Sequence, residues 1–153
     1  MYPVLRKALE GYSDILSTFR EGRKHTNAVM AIATGNRGKE MFAGESVRYA
    51  AYDGDLTDLD SGAPATLIPW ISSNWGHTFR WHGLGRFPES EKSKLKEIVR
   101  KAHEKGRRVR FWGTPDTPVF WRELVACEVD LINADDLDGV ERFFRERDGA
   151  GNR

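Results

Sequence analysis

The chain has 153 residues, with 24 Lys and Arg against 23 Asp and Glu for a net charge of +1, and at roughly 100–200 residues per domain this is about one domain. Its 39% hydrophobic and 31% charged residues are too rich in core formers for a disordered chain and too charged for a membrane-embedded one. The balanced charge supplies no global attraction for nucleic acid or anionic lipid, and a lone cysteine, Cys127, excludes an internal disulfide or a multi-cysteine zinc site.

In chain order, residues 4–19 carry Leu5, Ala8, Leu9, Tyr12, Ile15, Leu16 and Phe19 at helical spacing, which predicts an amphipathic helix stopping near Gly22. Residues 28–34 form a short apolar run closed by Gly35-Asn36-Arg37-Gly38, the pattern of a strand buried on both faces, and a brief helix through Met41 and Phe42 follows. Strands are expected at 47–52, stopped by Asp53-Gly54, and at 66–72, where Pro69 cannot donate a ladder hydrogen bond. Residues 73–88 lack periodicity and read as a long loop.

Residues 89–105 read as a strong helix with Leu95, Ile98, Val99 and Ala102 on one face and Gly106 at its C-terminal end. A strand at 109–112, a helix at 119–126, a strand at 129–133 and a helix at 137–145, capped by Asp135 or Asp136, complete the pattern. The tail, 148–153, reads as disordered. About five strands alternating with helices predict an α/β fold with a mainly parallel sheet, whose ligands meet the C-terminal strand ends. No segment reaches the roughly 18 apolar residues of a membrane span, and the first residues lack the apolar core of a signal peptide. The compartment stays open.

Strand parity selects candidate residues. Val109 and Phe111 share one face, suited to packing under helices, while Arg108, Arg110 and Trp112 share the other. Arg110 can meet a phosphate bidentately at a barrel mouth, pair with an interior acid such as Asp53, or lie at the surface. Asp53, Asn74 and Asn133 fall at strand ends, where each is equally a turn or cap residue.

Other motifs fail. The run Asp53, Asp55, Asp58, Asp60 places Asp58 and Pro64 where a calcium loop needs Gly and Glu, so it reads as an acidic surface loop. Gly83-Leu84-Gly85 meets Pro88 where a dinucleotide fingerprint needs its third glycine. Phe79-Arg80-Trp81-His82 and Arg86-Phe87 interleave aromatic and basic groups as single-strand binders do, but a loop packing its rings over a sheet has the same composition. His77 and His82 lack a third ligand nearby, and the remaining histidines, His25 and His103, are scattered. No nucleophile elbow occurs, and Cys127 reads as a small core residue.

The succession Thr34-Gly35-Asn36-Arg37, Tyr52-Asp53-Gly54, Ile71-Ser72-Ser73-Asn74-Trp75 with Phe79-Arg80-Trp81-His82-Gly83, then the run from Gly106 to Trp112 with Thr114-Pro115-Asp116, then Val129 to Leu137, carries a resemblance. It resembles the C-terminal half of the glycerophosphodiester phosphodiesterase and phosphatidylinositol-phospholipase-C-like superfamily, in the branch named after the yeast altered-inheritance-of-mitochondria protein. The chain departs from that pattern at Glu128, where a glycine is expected, and at Ala134, where a threonine is usual.

The resemblance implies the C-terminal portion of a TIM-like (β/α) barrel over residues 1–147, belonging to a phosphodiester hydrolase that uses a divalent cation, Mg²⁺ or Ca²⁺. Its substrates would be glycerophosphodiester-like or phosphoinositide-like small molecules or lipid headgroups, with no nucleic acid partner. The family's two catalytic histidines and its metal-holding carboxylates match no residue here, so no catalytic or metal residue is assigned and this chain alone is expected to be inactive. The positions that do match imply substrate-pocket contacts from Asn74, Trp75, Trp112, Asn133 and Asp135, to which strand parity adds Arg110. A barrel of this type needs about 250 residues, so an open sheet edge covered by homodimerisation is a further expectation. The alternative is a non-catalytic α/β domain that binds a ligand at its strand ends, or an interaction module built on the aromatic loop.

Overall fold

A computed structural model of the chain describes residues 2–35 and 38–150. The described residues divide into two units, the first running to residue 71 and including 105–107, the second comprising 72–104 and those from 108 on.

The first unit opens with helix α1 (Tyr2–Glu10). The helical spacing of the sequence runs on to Phe19, but the helix ends before Gly11 and the later apolar residues serve strands instead. Leu16 bridges Val29, and β1 (Thr18–Arg20) pairs antiparallel with β2 (Arg23–His25) and with β4 (Val47–Arg48). Spacings of three and four residues place side chains on one helix face whether or not a helix forms, so the local pattern carries no sign of these distant partners. Between β1 and β2, Glu21 and Gly22 both take positive φ, 51° and 73°, as a two-residue hairpin turn demands.

Parallel strands β3 (Ala31–Ala33) and β5 (Ala50–Gly54) follow, with α2 (Lys39–Ala43) packed against β5 through buried Phe42. The single strand expected over 47–52 is thus divided, its first two residues joining the antiparallel sheet and the remainder the parallel one. Residues Asn36 and Arg37, part of the expected strand stop, lie outside the described residues. Beyond β5 the acidic run forms one 3-10 turn, Leu56–Asp58, capped by Asp55. Asp58 is buried and paired with Lys39, and its main-chain carbonyl accepts from the Arg107 guanidinium. Arg107 also donates to Ser61 and Ala63, so a 1%-exposed cation, its pKa drawn down by burial, fastens this loop. Gly54 must be glycine, because a Cβ there would lie 2.5 Å from Ile68 Cγ2.

Strand β6 (Trp70–Asn74) begins after Pro69, later than predicted, so the proline stays outside the ladder. Its Trp70 and Ile71 pair in parallel with Asp53 and Gly54 of the first unit, and its last residues belong to the second. The second unit continues with α3 (Trp75–Thr78), a turn of helix inside the expected loop, and α4 (Glu89–Glu104). Gly106, at φ 68°, then turns the chain into β7 (Arg108–Trp112), against which α4 packs. Helix α5 (Pro118–Ala126), strand β8 (Leu131–Ile132) and helix α6 (Leu137–Ala150) complete the unit. Residues 148–150 are helical, so the start of the expected disordered tail is ordered, and 151–153 lie outside the described residues.

The molecule is therefore mixed α/β, its five parallel strands ordered β3-β5-β6-β7-β8 and accompanied by helices. Strands β3 and β8 stand at the two ends of that order, so the described strands close no barrel. Among the described residues no helix is long and apolar enough to cross a membrane.

The second unit's core is aromatic. Trp75 is fully buried, and its ring lies 4.2 Å from Phe79 and 4.8 Å from Phe120, centroid to centroid. Trp81 stacks on Phe87 at 4.5 Å and on Phe120 at 5.0 Å. Both indoles donate to main-chain carbonyls, Trp75 Nε1 to Trp81 at 2.6 Å and Trp81 Nε1 to Leu84 at 3.1 Å, so the rings enter the core with their polar ends satisfied. Helix α4 adds Leu95, Ile98, Val99 and Ala102, and β7 adds Val109 and Phe111.

Candidate functional site

The second unit presents a ledge of polar side chains where β6, β7 and β8 end. Sequence alternation along β7 buries Val109 and Phe111 and leaves Arg108, Arg110 and Trp112 on the opposite face. Trp112 is 44% exposed. Arg110 is half-buried, and its Nε is closed to solvent without a hydrogen-bond partner among the described residues. A buried donor without an acceptor is costly, and the planar fork of a guanidinium has the geometry to match a carboxylate or phosphate.

The neighbouring strand ends are tied to β7. Asn74 caps α3, its Oδ1 accepting from the His77 N–H at 3.2 Å. Its Nδ2 lies 3.0 Å from where a Cβ on Gly113 would stand, and Gly113 itself takes φ 68°. Glycine meets both demands at the exit of β7 without strain, whereas a side chain would have to adopt a disfavoured φ and displace the Asn74 amide. From the next residue, Thr114 Oγ1 donates to the Asn133 carbonyl at 3.1 Å and so joins the exits of β7 and β8.

Asp116 continues the tie, its Oδ2 accepting from the main-chain N–H groups of Asp135 at 2.7 Å and Asp136 at 2.9 Å. Asp136 in turn accepts from Gly139 N at 2.9 Å at the start of α6. Of the two aspartates offered by the sequence as helix caps, Asp136 performs the capping, while Asp135 presents an exposed side chain.

Of the six residues assigned to substrate contact, Asn74, Arg110, Trp112, Asn133 and Asp135 thus lie on or beside this ledge. Trp75 does not, because at 0% exposure it is a core residue with no surface to offer a ligand. The rings of Phe79, Trp81 and Phe87 are likewise buried, which takes from the aromatic loop the open faces that base stacking requires. Thr114 and Asp116 hold the ledge together and were given no role from sequence. Pro115, between the two, and Pro118 just beyond them are the signal that the chain is stiffened there.

Among the described residues no three His, Cys, Asp or Glu side chains are placed to hold a metal ion. His103, at the end of α4, contacts Asp130 Oδ2 at 2.9 Å, and the same oxygen accepts from the Val109 N–H at 2.7 Å, at the entrance of β7 rather than its exit. Cys127 is 1% exposed, and burial pushes its thiol pKa up, away from nucleophilic character.

No family model matches the chain, and no solved structure matches it. The altered inheritance of mitochondria protein 6 of Zygosaccharomyces rouxii is 35% identical over an alignment 165 positions long, gaps included, that takes in 93% of this chain and 39% of that protein. The protein of the same name from Eremothecium gossypii is 46% identical over 54 residues, 32% of this chain and 14% of its own length. A homolog from Arthroderma benhamiae is 27% identical over 124 residues, 76% of this chain and 39% of its own. The chain thus spans well under half the length of these curated relatives. Their names agree with the altered-inheritance branch of the resemblance and correct its wider part. None mentions a phosphodiesterase, so the assignment to the phosphodiesterase superfamily has no support.

Proposed function

We propose that the second unit binds a small phosphodiester, free or as a lipid headgroup, at the exits of β6, β7 and β8. Arg110 anchors the phosphate, Trp112 forms a side wall, and Asn74, Asn133 and Asp135 orient the alcohol groups. The observation that carries this reading is the Arg110 Nε, shut from solvent with no acceptor, on the face of β7 shared with Trp112. The position at the C-terminal ends of parallel strands supports it, because ligands of α/β sheets are held there.

The chain recognises the substrate and does not turn it over alone. Hydrolysis of a phosphodiester needs an acid and a base to move protons and draws charge neutralisation from a divalent cation. In this reading no residue of the chain is assigned to that cation, because the matched positions carry none of the family's metal-holding carboxylates. Those tasks fall, in this reading, to other parts of the longer proteins that the chain resembles.

The test uses two readouts. Dimethyl phosphate, a minimal diester anion, should bind the intact chain, and Arg110→Gln should weaken binding at least about tenfold, or about 1.4 kcal/mol. Bis(p-nitrophenyl) phosphate should not be hydrolysed by the chain in the presence of Mg²⁺ or Ca²⁺. Metal-dependent turnover would overturn the division of labour, and equal affinity of the Arg110 variant would overturn the site.

A further inference from the structure

A second cleft lies in the same unit, between α5 and α6, and encloses about 220 Å³. Its floor is aromatic, Trp121 against Phe143 with ring centroids 5.7 Å apart. Its rim carries both signs of charge: Asp116 and Glu146 on one side of the balance, Arg122 and Arg142 on the other. Among the described residues Arg122, Arg142 and Glu146 enter no ion pair, although helix positions three and four apart elsewhere in the chain pair readily, as Arg145 does with Glu141 at 2.6 Å.

Two of the residues that line the cleft each carry an unmatched polar atom. Asp116 spends one carboxylate oxygen on the Asp135 and Asp136 N–H groups, but its Oδ1 is closed to solvent and accepts nothing. Trp121 is 1% exposed, and its Nε1 donates to nothing. One orphan is an acceptor carrying negative charge and the other is a donor, and the free guanidiniums add further donors. A ligand bearing only a cation would leave Trp121 and the arginines unmatched, and one bearing only an anion would leave Asp116 unmatched.

We infer that this cleft binds a small zwitterion, its ammonium directed to Asp116 and its anionic group to Arg122, Arg142 and the Trp121 indole N–H. The volume suits it, falling below the roughly 300–1,000 Å³ of sites for drug-sized ligands. The anionic group is a carboxylate or a phosphate, since a guanidinium fork accepts either. The site is separate from Arg110 and does not depend on the phosphodiester reading.

The indole N–H signals of the intact chain report the outcome. Glycine supplies the carboxylate zwitterion and O-phosphoethanolamine the phosphate one, while ethylammonium and dimethyl phosphate carry one charge each. The Trp121 signal should shift saturably with at least one zwitterion, with a Kd near about 1 mM, and the zwitterion that acts identifies the anionic group. The Trp75 and Trp81 signals, already bonded to carbonyls, should hold still. Arg142→Ala, at an exposed helix position, should weaken binding about tenfold, and Asp116→Asn should do the same if the strand-end tie survives. No Trp121 shift with either zwitterion, equal shifts with the single-charge probes, or unchanged affinity in Arg142→Ala would overturn the proposal.

Discussion

Glu128 shows how one residue records a backbone demand. At φ 60° it occupies the left-handed position just past α5, where its N–H donates to the Val125 carbonyl and the N–H of Val129 to that of Leu124, each at 3.0 Å. These are the two bonds of a Schellman cap, and buried Leu124 and Val129 complete its apolar contact. A side chain in this conformation costs about 1–2 kcal/mol where glycine costs nothing. Glu128→Gly is therefore expected to stabilise the chain by about 1 kcal/mol, read as a higher denaturation midpoint at unchanged m-value. The resemblance expects a glycine at this position, and the backbone geometry is one that glycine adopts without strain.

Cys127, immediately before it, makes a second prediction at this scale. Burial raises the thiol pKa in the folded chain, so the native state keeps a proton that the unfolded chain releases above about pH 8.5. The unfolded state then binds fewer protons, and stability falls as pH rises past that value. Wild type should lose stability more steeply than Cys127→Ala over this range, and the native thiol should resist alkylation until the chain unfolds.

At the scale of elements, legibility followed the reach of the interactions. Helix α4 was readable because its apolar face, its length and its Gly106 stop are local, and the parity of β7 was readable because Val109 and Phe111 alternate with Arg108, Arg110 and Trp112. The stretch from Tyr12 to Phe19 was not readable, since its partners, Val29 and β4, are distant in sequence and the same spacing suits a helix. Helix α5 was placed nearly to the residue, and its start can be tested. Thr117 Oγ1 accepts from the Phe120 N–H at 3.3 Å with Pro118 at the first helical position, so Thr117→Ala should cost about 1 kcal/mol and Thr117→Ser little. Equal destabilisation by both substitutions would show that the methyl, not the hydroxyl, matters.

At the scale of the whole molecule, the alternation of strands and helices correctly announced an α/β chain with a parallel sheet, but closure into a barrel is not a local property and does not follow from alternation. The candidate site was legible in the same measure. The rule that ligands meet strand exits points to Asn74, Arg110, Trp112 and Asn133, while Asp135 enters only through the resemblance; all five lie on or beside the ledge, which shows their place and not their role. Trp75 was misplaced because an indole beside a strand end reads the same whether it faces a ligand or a core. Asp116 escaped notice because its importance lies in main-chain N–H groups some twenty residues on.

The central claim is that Arg110 anchors a phosphate at these exits, and calorimetric titration of dimethyl phosphate into the wild-type chain, Arg110→Gln and Arg108→Gln tests it most directly. Both arginines lie on one face of β7, but Arg108 is exposed at the strand's entrance. Saturable binding to wild type and to Arg108→Gln is expected, with loss of at least about tenfold in affinity for Arg110→Gln. Equal weakening in the two variants, or none in either, would contradict it.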